Sequence, residues 1–337
     1  MDVLTVSGDG STRGFIQGQA RAEQIVETWE VLRMHLTANG VDVAAVADRL
    51  LRSELVATAH QFTPDLWDEA TGIAAGANID IEQVMLLCFL DEVWSFTGGL
   101  GCSVAARSRD GFIGQTMDLP IWAAGRLMVL RVQSDLAPTA LIMSYPGMIG
   151  LCGANSAGLG VAVNALEQFQ ADSNGLGVVF IMRHLLTLTS LAHAGEFLAS
   201  VPHAAGQAYT VSAPDGIATW ECGPGHVQRV TAPSVDQCAH TNHLLADPTN
   251  STRSSIRRLT ALQRALDNDL DLRQTLSHEV VLTDPRTSNS GVTFAAFIAN
   301  PPADYVEFAD GLTLRAGSPV WESIYYSPNA SHQLGQQ

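Results

Sequence analysis

The sequence predicts an α+β fold in which stacked antiparallel sheets are covered by helices. Residues 1–96 carry the apolar periodicity of helices, whereas short β-like runs separated by turn residues dominate after position 102. These runs come in adjacent hairpins rather than in strict alternation with helices, which argues against a parallel, doubly wound sheet. We therefore expect a helical N-terminal segment, residues 1–101, and a sheet-rich segment, residues 102–337, that together form one domain.

Four helices are expected in the N-terminal segment. Residues 13–36 form an amphipathic stretch with its apolar side chains near one face, and residues 41–60 predict a second helix. Thr63 is expected to be the N-cap of a third helix, with Pro64 as its first helical residue. A fourth helix is predicted over residues 81–94, directly before a glycine-rich linker.

The sheet-rich segment begins with a predicted hairpin. Two β-like runs, residues 103–107 and 112–116, flank an Arg-Asp-Gly turn at 109–111. Helices are expected over residues 178–200 and 254–268. Further strands are predicted at 127–133, 140–145, 147–152, 158–164, 208–212, 217–221, 226–232, 292–298, 305–308 and 313–316.

The composition is that of an acidic globular protein. The 337 residues are 46% hydrophobic, which argues against a disordered chain, and they carry a formal net charge of −16. Such a charge repels phosphate backbones and anionic lipid headgroups, so neither nucleic acid nor a membrane is expected as a partner. No apolar stretch reaches the ~18 residues of a membrane span. The first residues do not resemble a secretory signal, so a cytoplasmic location is expected.

The cysteines and histidines give no sign of a disulfide framework or a metal site. The five cysteines are scattered and include no CxxC pair, which fits a reducing compartment. The histidines lack the ligand spacing that is typical of zinc sites. We therefore expect neither a metal nor another cofactor.

Cys102 stands where the glycine-rich linker, residues 97–101, meets the first predicted strand. A cysteine in such a place is most often a small buried apolar residue. Gly101, however, allows a strained or left-handed backbone that would let the Cys102 thiol attack the preceding carbonyl. Hydrolysis of the resulting thioester would leave Cys102 as a new N-terminus. Its α-amine, with a reference pKa of about 8, would then serve as general base for its own thiol.

Ordered motifs around Cys102 resemble the penicillin acyltransferase-like family of N-terminal-nucleophile amidohydrolases. The resemblance extends over most of the chain and rests on order and spacing, because each motif alone is short. The matching segments are 14–18, 69–77 (family pattern E-x-x-GIA-x-GA), 87–92, 101–103 (Gly-Cys-Thr/Ser), 114–118 (GQ-x-x-D), 153–159 (G-x-NSAGL), 241–243 and 254–257 (SS-x-x-R). The resemblance implies a four-layer αββα sandwich, self-cleavage before Cys102 and a small-molecule amide or acyl-thioester substrate.

The resemblance also implies roles for individual residues. Cys102 would be the nucleophile and, through its α-amine, the base, with Gly101 and Cys102 forming the cleavage site. Asp118 would hydrogen-bond the α-ammonium or the thiol, and Asn242 would donate its amide to the oxyanion hole. Asn155 would line the pocket or supply a backbone donor. Purely structural roles stay open, because aspartate and asparagine are also common turn residues.

Two departures from the family pattern leave the substrate open. Where the family often has asparagine and an aromatic residue around the aspartate, this chain has Thr116, Met117 and Leu119, and Thr116 is a further candidate for contacting substrate. A late family arginine has no clean counterpart, because the segment around Arg286 does not align. The acyl donor (a β-lactam, an N-acyl amino acid, a lipid amide or a peptide) and the acceptor, water or an amine, are both undetermined.

Two other functions fit the same residues. The chain would be an inactive ligand-binding relative if it is never cleaved before Cys102. It would be a conventional cysteine–histidine hydrolase if the uncut chain is active with His240 or His243 as the base. The mass of the purified protein distinguishes these cases, because cleavage gives residues 1–101 and 102–337 as two partner chains.

Overall fold

The computed structural model describes residues 1–94, 101–232, 235–284, 291–300 and 303–328. Most of the glycine-rich linker, residues 97–100, lies outside the described residues. The helices are α1 (Gly10–Ala20), α2 (Ala22–Ala38), α3 (Val43–Arg52), α4 (Glu54–Phe62), α5 (Pro64–Ala77), α6 (Ile81–Cys88), α7 (Leu90–Trp94), α8 (Val178–Leu185), α9 (Leu191–Ser200), α10 (Arg253–Asp267), α11 (Leu272–Leu276) and α12 (Gly311–Arg315). Among the described residues, no helix is long and apolar enough to cross a membrane.

The strands are β1 (Asp2–Ser7), β2 (Cys102–Arg107), β3 (Phe112–Leu119), β4 (Met128–Ser134), β5 (Ala137–Ser144), β6 (Gly153–Asn155), β7 (Gly160–Ala165), β8 (Gln207–Ala213), β9 (Gly216–Gly223), β10 (His226–Arg229), β11 (Gln237–His240), β12 (Val292–Ala299), β13 (Tyr305–Asp310) and β14 (Trp321–Tyr325). They form two sheets. The larger has the order β1-β4-β5-β6-β7-β8-β9-β10, and the smaller has the order β11-β2-β3-β12-β13-β14.

The two sheets pack on each other and are covered by helices on both sides. β2 and β3 of the smaller sheet contact β7 and β8 of the larger sheet. The other face of the larger sheet carries α8 and α9, and the other face of the smaller sheet carries α10, α11 and α12. The layers are therefore helix, sheet, sheet and helix, which confirms the predicted α+β fold class and its αββα arrangement.

The N-terminal helices are shorter than the sequence predicts. The stretch 13–36 is divided between α1 and α2 at Arg21, and the stretch 41–60 is divided between α3 and α4 at Ser53. Apolar periodicity continues across both breaks, so it does not locate them. The segment also contains a strand that the helical prediction omits, because β1 pairs in parallel with β4 at the edge of the larger sheet.

α1 and α5 cross at close range because glycines stand at the contact. A Cβ atom at Gly14 or Gly18 would collide with the backbone of α5, and one at Gly72 or Gly76 would collide with the backbone of α1. Glycine inside a helix is ~1 kcal/mol less favourable than alanine, so its repeated use here reflects the space that the crossing requires. Packing thus explains the two early glycine motifs of the family pattern.

In the sheet-rich segment three predicted elements differ from the structure, and β6, β11, α11 and β14 are not predicted from the sequence. β2 and β3 form the expected hairpin, and Gly111 turns it with a φ of 65°. The helix predicted over 178–200 is interrupted between α8 and α9, and residues 147–152 form the connection between β5 and β6 instead of a strand. Residues 313–316, predicted as a strand, largely belong to α12, whose first turn is capped by the side chain of Asp310. A pattern of four residues is too short to distinguish the apolar period of a helix from that of a strand.

Glu69 of α5 joins three helices through a buried ion network. Its carboxylate accepts hydrogen bonds from Arg13 of α1 at 2.9 Å and from Arg183 of α8 at 2.8 Å. All three side chains are buried, so their charges are tolerated because they pair and hydrogen-bond with one another. The network fastens two helices of residues 1–101 to a helix of residues 102–337.

We expect Glu69→Gln to lower the free energy of unfolding by ~3 kcal/mol, because it leaves the buried guanidinium of Arg183 without an anion and leaves Arg13 with Asp65 alone. Urea denaturation of the purified protein measures this change. Asp48→Asn is the matched control, since it breaks the exposed Asp48–Arg52 pair of 2.6 Å and should have little effect. Equal losses in the two variants would contradict the importance of the buried network.

Candidate active site

Cys102 is the first residue of β2, and hydrogen bonds hold the backbone on either side of it. Its N–H donates to Asn242 Oδ1 at 2.8 Å, and its carbonyl accepts from Arg258 Nη1 at 2.5 Å. The carbonyl of Gly101 accepts from the backbone N–H of Asp118 at 2.7 Å, which extends the β2–β3 pairing. The Gly101–Cys102 peptide bond is therefore fixed at both its oxygen and its nitrogen.

Asn242 lies in the turn after β11 and faces Cys102 with its side-chain oxygen. This Oδ1 also accepts from Arg258 Nη2 at 2.9 Å, while Nδ2 donates to the carbonyl of Ala165 at 3.1 Å. A guanidinium has donors only, so Arg258 fixes which end of the amide faces Cys102. In the uncut chain Asn242 is therefore an acceptor for the Cys102 N–H. The predicted oxyanion role would use the second Nδ2 hydrogen.

Arg258 of α10 is a site residue that the sequence-based predictions omit. It is buried, and besides Cys102 and Asn242 it contacts Ser103, whose Oγ accepts from Nη1 at 2.9 Å. The signal for it was present in the sequence. The SS-x-x-R pattern spans five positions, so its arginine is Arg258, whereas Arg257 is exposed.

Asp118 lies near the end of β3, buried beside Gly101. Its carboxylate accepts hydrogen bonds from the hydroxyls of Thr293 at 2.7 Å and Thr283 at 2.5 Å. A Cβ atom at position 101 would lie 2.5 Å from Asp118 Oδ2. Glycine fits at position 101 because the carboxylate occupies the space of a side chain.

Burial makes the Cys102 thiol hard to ionise in the uncut chain. Loss of water raises the pKa of the Cys102 thiol to about 12, and the negative charge of Asp118 adds to this rise. Burial also raises the pKa of Asp118, whereas Arg258 and the two threonine hydroxyls act in the opposite direction. Near neutral pH the thiol is therefore protonated, and its attack on a carbonyl requires a base.

Cys102 opens into a small cavity of about 30 Å³, which has room for at least one water molecule. Polar groups come from Asp91, Asp118 and Gln207, and Gln207 Nε2 donates to Asp91 Oδ2 at 2.8 Å. The rest of the wall is apolar and consists of Met117, Leu119, Leu151, Val163, Ala165, Val178, Val179 and Met182. A larger groove of about 470 Å³ lies on the outer surface of α10 and α11 and does not include Cys102.

Neither Thr116 nor Asn155 belongs to the wall of this cavity. Thr116 pairs with Ser103, so it faces α10 on the side of β3 opposite to Met117. The Asn155 amide donates to the carbonyls of Leu186 and Leu188 at 2.9 and 2.8 Å. Its oxygen accepts from backbone N–H groups within its own turn. These contacts join the turn before β7 to the end of α8. Neither Thr116 nor Asn155 has a role in the mechanism proposed below.

The histidines nearest to Asn242 in sequence have other partners. His240 Nε2 lies 3.0 Å from Glu221 Oε1, and His243 Nδ1 lies 2.7 Å from Ser255 Oγ. Among the described residues, no hydrogen bond joins a histidine to Cys102, and no cluster of three or more His, Cys, Asp or Glu is arranged to hold a metal. Arg286 lies outside the described residues.

Comparisons with known proteins place these residues in context. The 40 kDa form of acyl-coenzyme A:6-aminopenicillanic-acid-acyltransferase from Emericella nidulans is 28% identical over 251 residues, which cover 72% of this chain and 69% of the relative. Penicillin V acylase from Agrobacterium tumefaciens has a TM-score of 0.43 at 13% identity, covering 66% of this chain and 86% of that one. A mutant of conjugated bile acid hydrolase from Clostridium perfringens has a TM-score of 0.42 at 12% identity, covering 67% of this chain and 97% of that one.

The family comparison is the decisive one, because it concerns more than half of the chain. Residues 104–278 match the family described as acyl-coenzyme A:6-aminopenicillanic acid acyl-transferase. This match begins just after Cys102 and includes Asp118, Asn242 and Arg258. The chain belongs to the acyl-coenzyme A:6-aminopenicillanic acid acyl-transferase family.

Proposed function

We propose that Cys102 cleaves the peptide bond that precedes it and then, as an N-terminal cysteine, transfers or hydrolyses the acyl group of a small-molecule amide or acyl thioester. The observation that carries this proposal is the fixed Gly101–Cys102 peptide, with Asp118 N–H at its oxygen and Asn242 Oδ1 at its nitrogen. Membership of an acyltransferase family supports acyl transfer or amide hydrolysis as the reaction class.

In the cleavage step, Cys102 Sγ attacks the Gly101 carbonyl carbon. The Asp118 N–H stabilises the oxygen while it carries negative charge, as an oxyanion-hole donor does. The C–S bond forms, the C–N bond breaks, and the proton lost by the thiol ends on the Cys102 nitrogen, which Asn242 Oδ1 holds in place. Water then hydrolyses the thioester, which leaves a carboxylate on Gly101 and a free thiol on Cys102.

In the mature enzyme, the new α-amine takes the place of the external base that the buried thiol requires. With a reference pKa of about 8, this amine is partly unprotonated near neutral pH and accepts the thiol proton. Sγ attacks the substrate carbonyl, and the leaving amine or thiol departs with that proton. Water or an amine then collects the acyl group from Cys102. The apolar wall of the cavity suits the hydrocarbon part of an acyl group.

The name of one relative supports the chemical classes that we propose for the substrates. Acyl-coenzyme A and 6-aminopenicillanic acid appear in the name of the Emericella nidulans enzyme, and they combine an acyl thioester with an amine acceptor. For this chain we propose the same chemical classes, an acyl thioester or amide as donor and water or an amine as acceptor. The individual molecules are left to a screen of acyl donors.

We expect Cys102→Ala to stop both cleavage and turnover, and Cys102→Ser to cleave slowly, because a hydroxyl is a poorer nucleophile than a thiol. Intact mass of the purified protein reports whether residues 1–101 and 102–337 are separate chains. Cys238→Ala is the matched control, because it removes a thiol from the neighbouring strand and should leave cleavage unchanged. Cleavage that persists in Cys102→Ala would refute the assignment. A wild-type chain that stays uncut would favour the ligand-binding or cysteine–histidine alternative.

Gly101→Ala should slow cleavage at least ~10-fold. The new Cβ would lie 2.5 Å from Asp118 Oδ2, and two threonine hydroxyls hold that carboxylate in place. Either the scissile peptide or Asp118 must shift. The rate is read from a time course of intact mass after rapid purification, and the melting temperature shows that the variant is folded. Cleavage at the wild-type rate in the folded variant would contradict the tight contact.

The two functions of the Asn242 amide can be separated by substitution. Asn242→Asp keeps an acceptor for the Cys102 nitrogen and for Arg258 but loses the N–H donors, whereas Asn242→Ala loses both. If Asn242 is an oxyanion donor in the mature enzyme, Asn242→Asp should still cleave itself yet lose roughly 10²–10³ in turnover. Near-normal turnover of the cleaved Asp variant would assign Asn242 to positioning alone.

A further inference from the structure

Two hydrogen-bond acceptors in the Cys102 cavity have no partner among the described residues. Gln207, at the start of β8, is 2% exposed, and its Oε1 is buried without a hydrogen bond. Asp91 of α7 receives the Gln207 amide on Oδ2, but no described residue donates to its Oδ1. Both residues line the same cavity as Cys102.

The orientation of the Gln207 amide follows from its neighbour. Asp91 is a carboxylate, so the amide nitrogen must face it, which directs Oε1 to the other side. Burial raises the pKa of Asp91 to about 6, so this group is mostly ionised at neutral pH. The adjacent Glu92 does not compete for the same position, because its Oε1 accepts from the Val178 N–H at the start of α8.

The buried, unpaired Oε1 of Gln207 calls for a ligand that supplies hydrogen-bond donors, and the half-buried carboxylate of Asp91 beside it offers a second acceptor. Of the polar groups in the cavity wall, Asp118 is already occupied on both oxygens by threonine hydroxyls. Asp91 and Gln207 therefore form an acceptor pair, one member of which is negatively charged, within an otherwise apolar wall. A group with two or more N–H bonds and affinity for negative charge satisfies this pair, and a primary amine has both properties.

We propose that Asp91 and Gln207 bind the amine-bearing side of the substrate, which is the amine that leaves an amide donor or takes the acyl group from Cys102. This inference rests on the proposed function of Cys102. In the transfer step the amine nitrogen bonds to the thioester carbon and the C–S bond breaks. The amine proton passes to the departing sulfur through the Cys102 α-amine. Asp91 and Gln207 hold the amine by its two N–H bonds before and during attack, one of which then gives up the transferred proton, and they select the amine over water.

Asp91 and Gln207 would belong to different chains after cleavage before Cys102. Asp91 precedes the cleavage site, whereas Gln207 and Cys102 follow it. Selection of an amine therefore requires that residues 1–101 stay bound after cleavage. The buried Glu69 network joins helices from both parts and fits this requirement.

A pulse–chase experiment on the self-cleaved protein tests the pair. Phenyl thioacetate is the acyl donor because it contains no amine, and the mass of the 102–337 chain reports the acetyl group on Cys102. The acetylated protein is then chased in buffer alone or with increasing ethylamine. In the wild type, ethylamine should accelerate loss of the acetyl group with saturation and yield N-ethylacetamide.

Asp91→Asn should lower the ratio of aminolysis by ethylamine to hydrolysis by water at least ~10-fold, since it removes a charge-assisted hydrogen bond to the amine. Gln207→Met, which removes the amide but keeps the length of the side chain, should also lower this ratio of aminolysis to hydrolysis. Asp135→Asn is the control for charge alone, because Asp135 is exposed and outside the cavity. The melting temperature of each variant shows that it is folded.

The outcomes separate the two proposals. Failure to acetylate Cys102 in the cleaved wild type would overturn the proposed function and this inference with it. Acetylation followed by loss that ethylamine does not accelerate would overturn the inference alone, with an ordered water as the occupant of the pair. Equal falls in aminolysis and hydrolysis in both variants would assign Asp91 and Gln207 to the fold instead of to the amine.

Discussion

The guanidinium of Arg258 is the group on which the geometry around Cys102 depends. It binds the carbonyl of Cys102, the hydroxyl of Ser103 and Oδ1 of Asn242 at once. Because it offers only donors, it orients the Asn242 amide, and that amide in turn receives the Cys102 N–H. One cation from α10 thus determines how the strand that begins at Cys102 meets the turn after β11.

The same arrangement keeps the Cys102 thiol protonated in the uncut chain. Cys102 lies within a ladder of β2 and β3, with its thiol buried and close to the Asp118 carboxylate. Both conditions favour the protonated thiol. Release of the α-amine at this position would add a base next to the sulfur, where Asp118, Asn242 and Arg258 are already held by hydrogen bonds.

The family motifs have two kinds of role in the structure: some are needed for packing, and others form the candidate site. The early glycines permit the close crossing of α1 and α5, and Glu69 of the second motif is the centre of a buried ion network. Asn155 of the NSAGL segment joins its turn to the end of α8. These motifs contribute to packing, whereas the candidate site is formed by residues 101–103, Asp118, Asn242 and Arg258. Short motif matches alone do not distinguish the two kinds.

The sequence by itself determined the α+β class, the change from helices to sheets near position 101, and Cys102, Asp118 and Asn242 as the residues to examine. Local patterns suffice for these, because turn chemistry, periodicity and motif order are properties of neighbouring residues. Only the tertiary structure decided that the Asp118 carboxylate occupies the space of a side chain at Gly101, and that Arg258 orients Asn242. It also decided that Asp91 and Gln207 meet in the Cys102 cavity. Each of these depends on contacts between residues far apart in the chain, and no local pattern encodes such a distance.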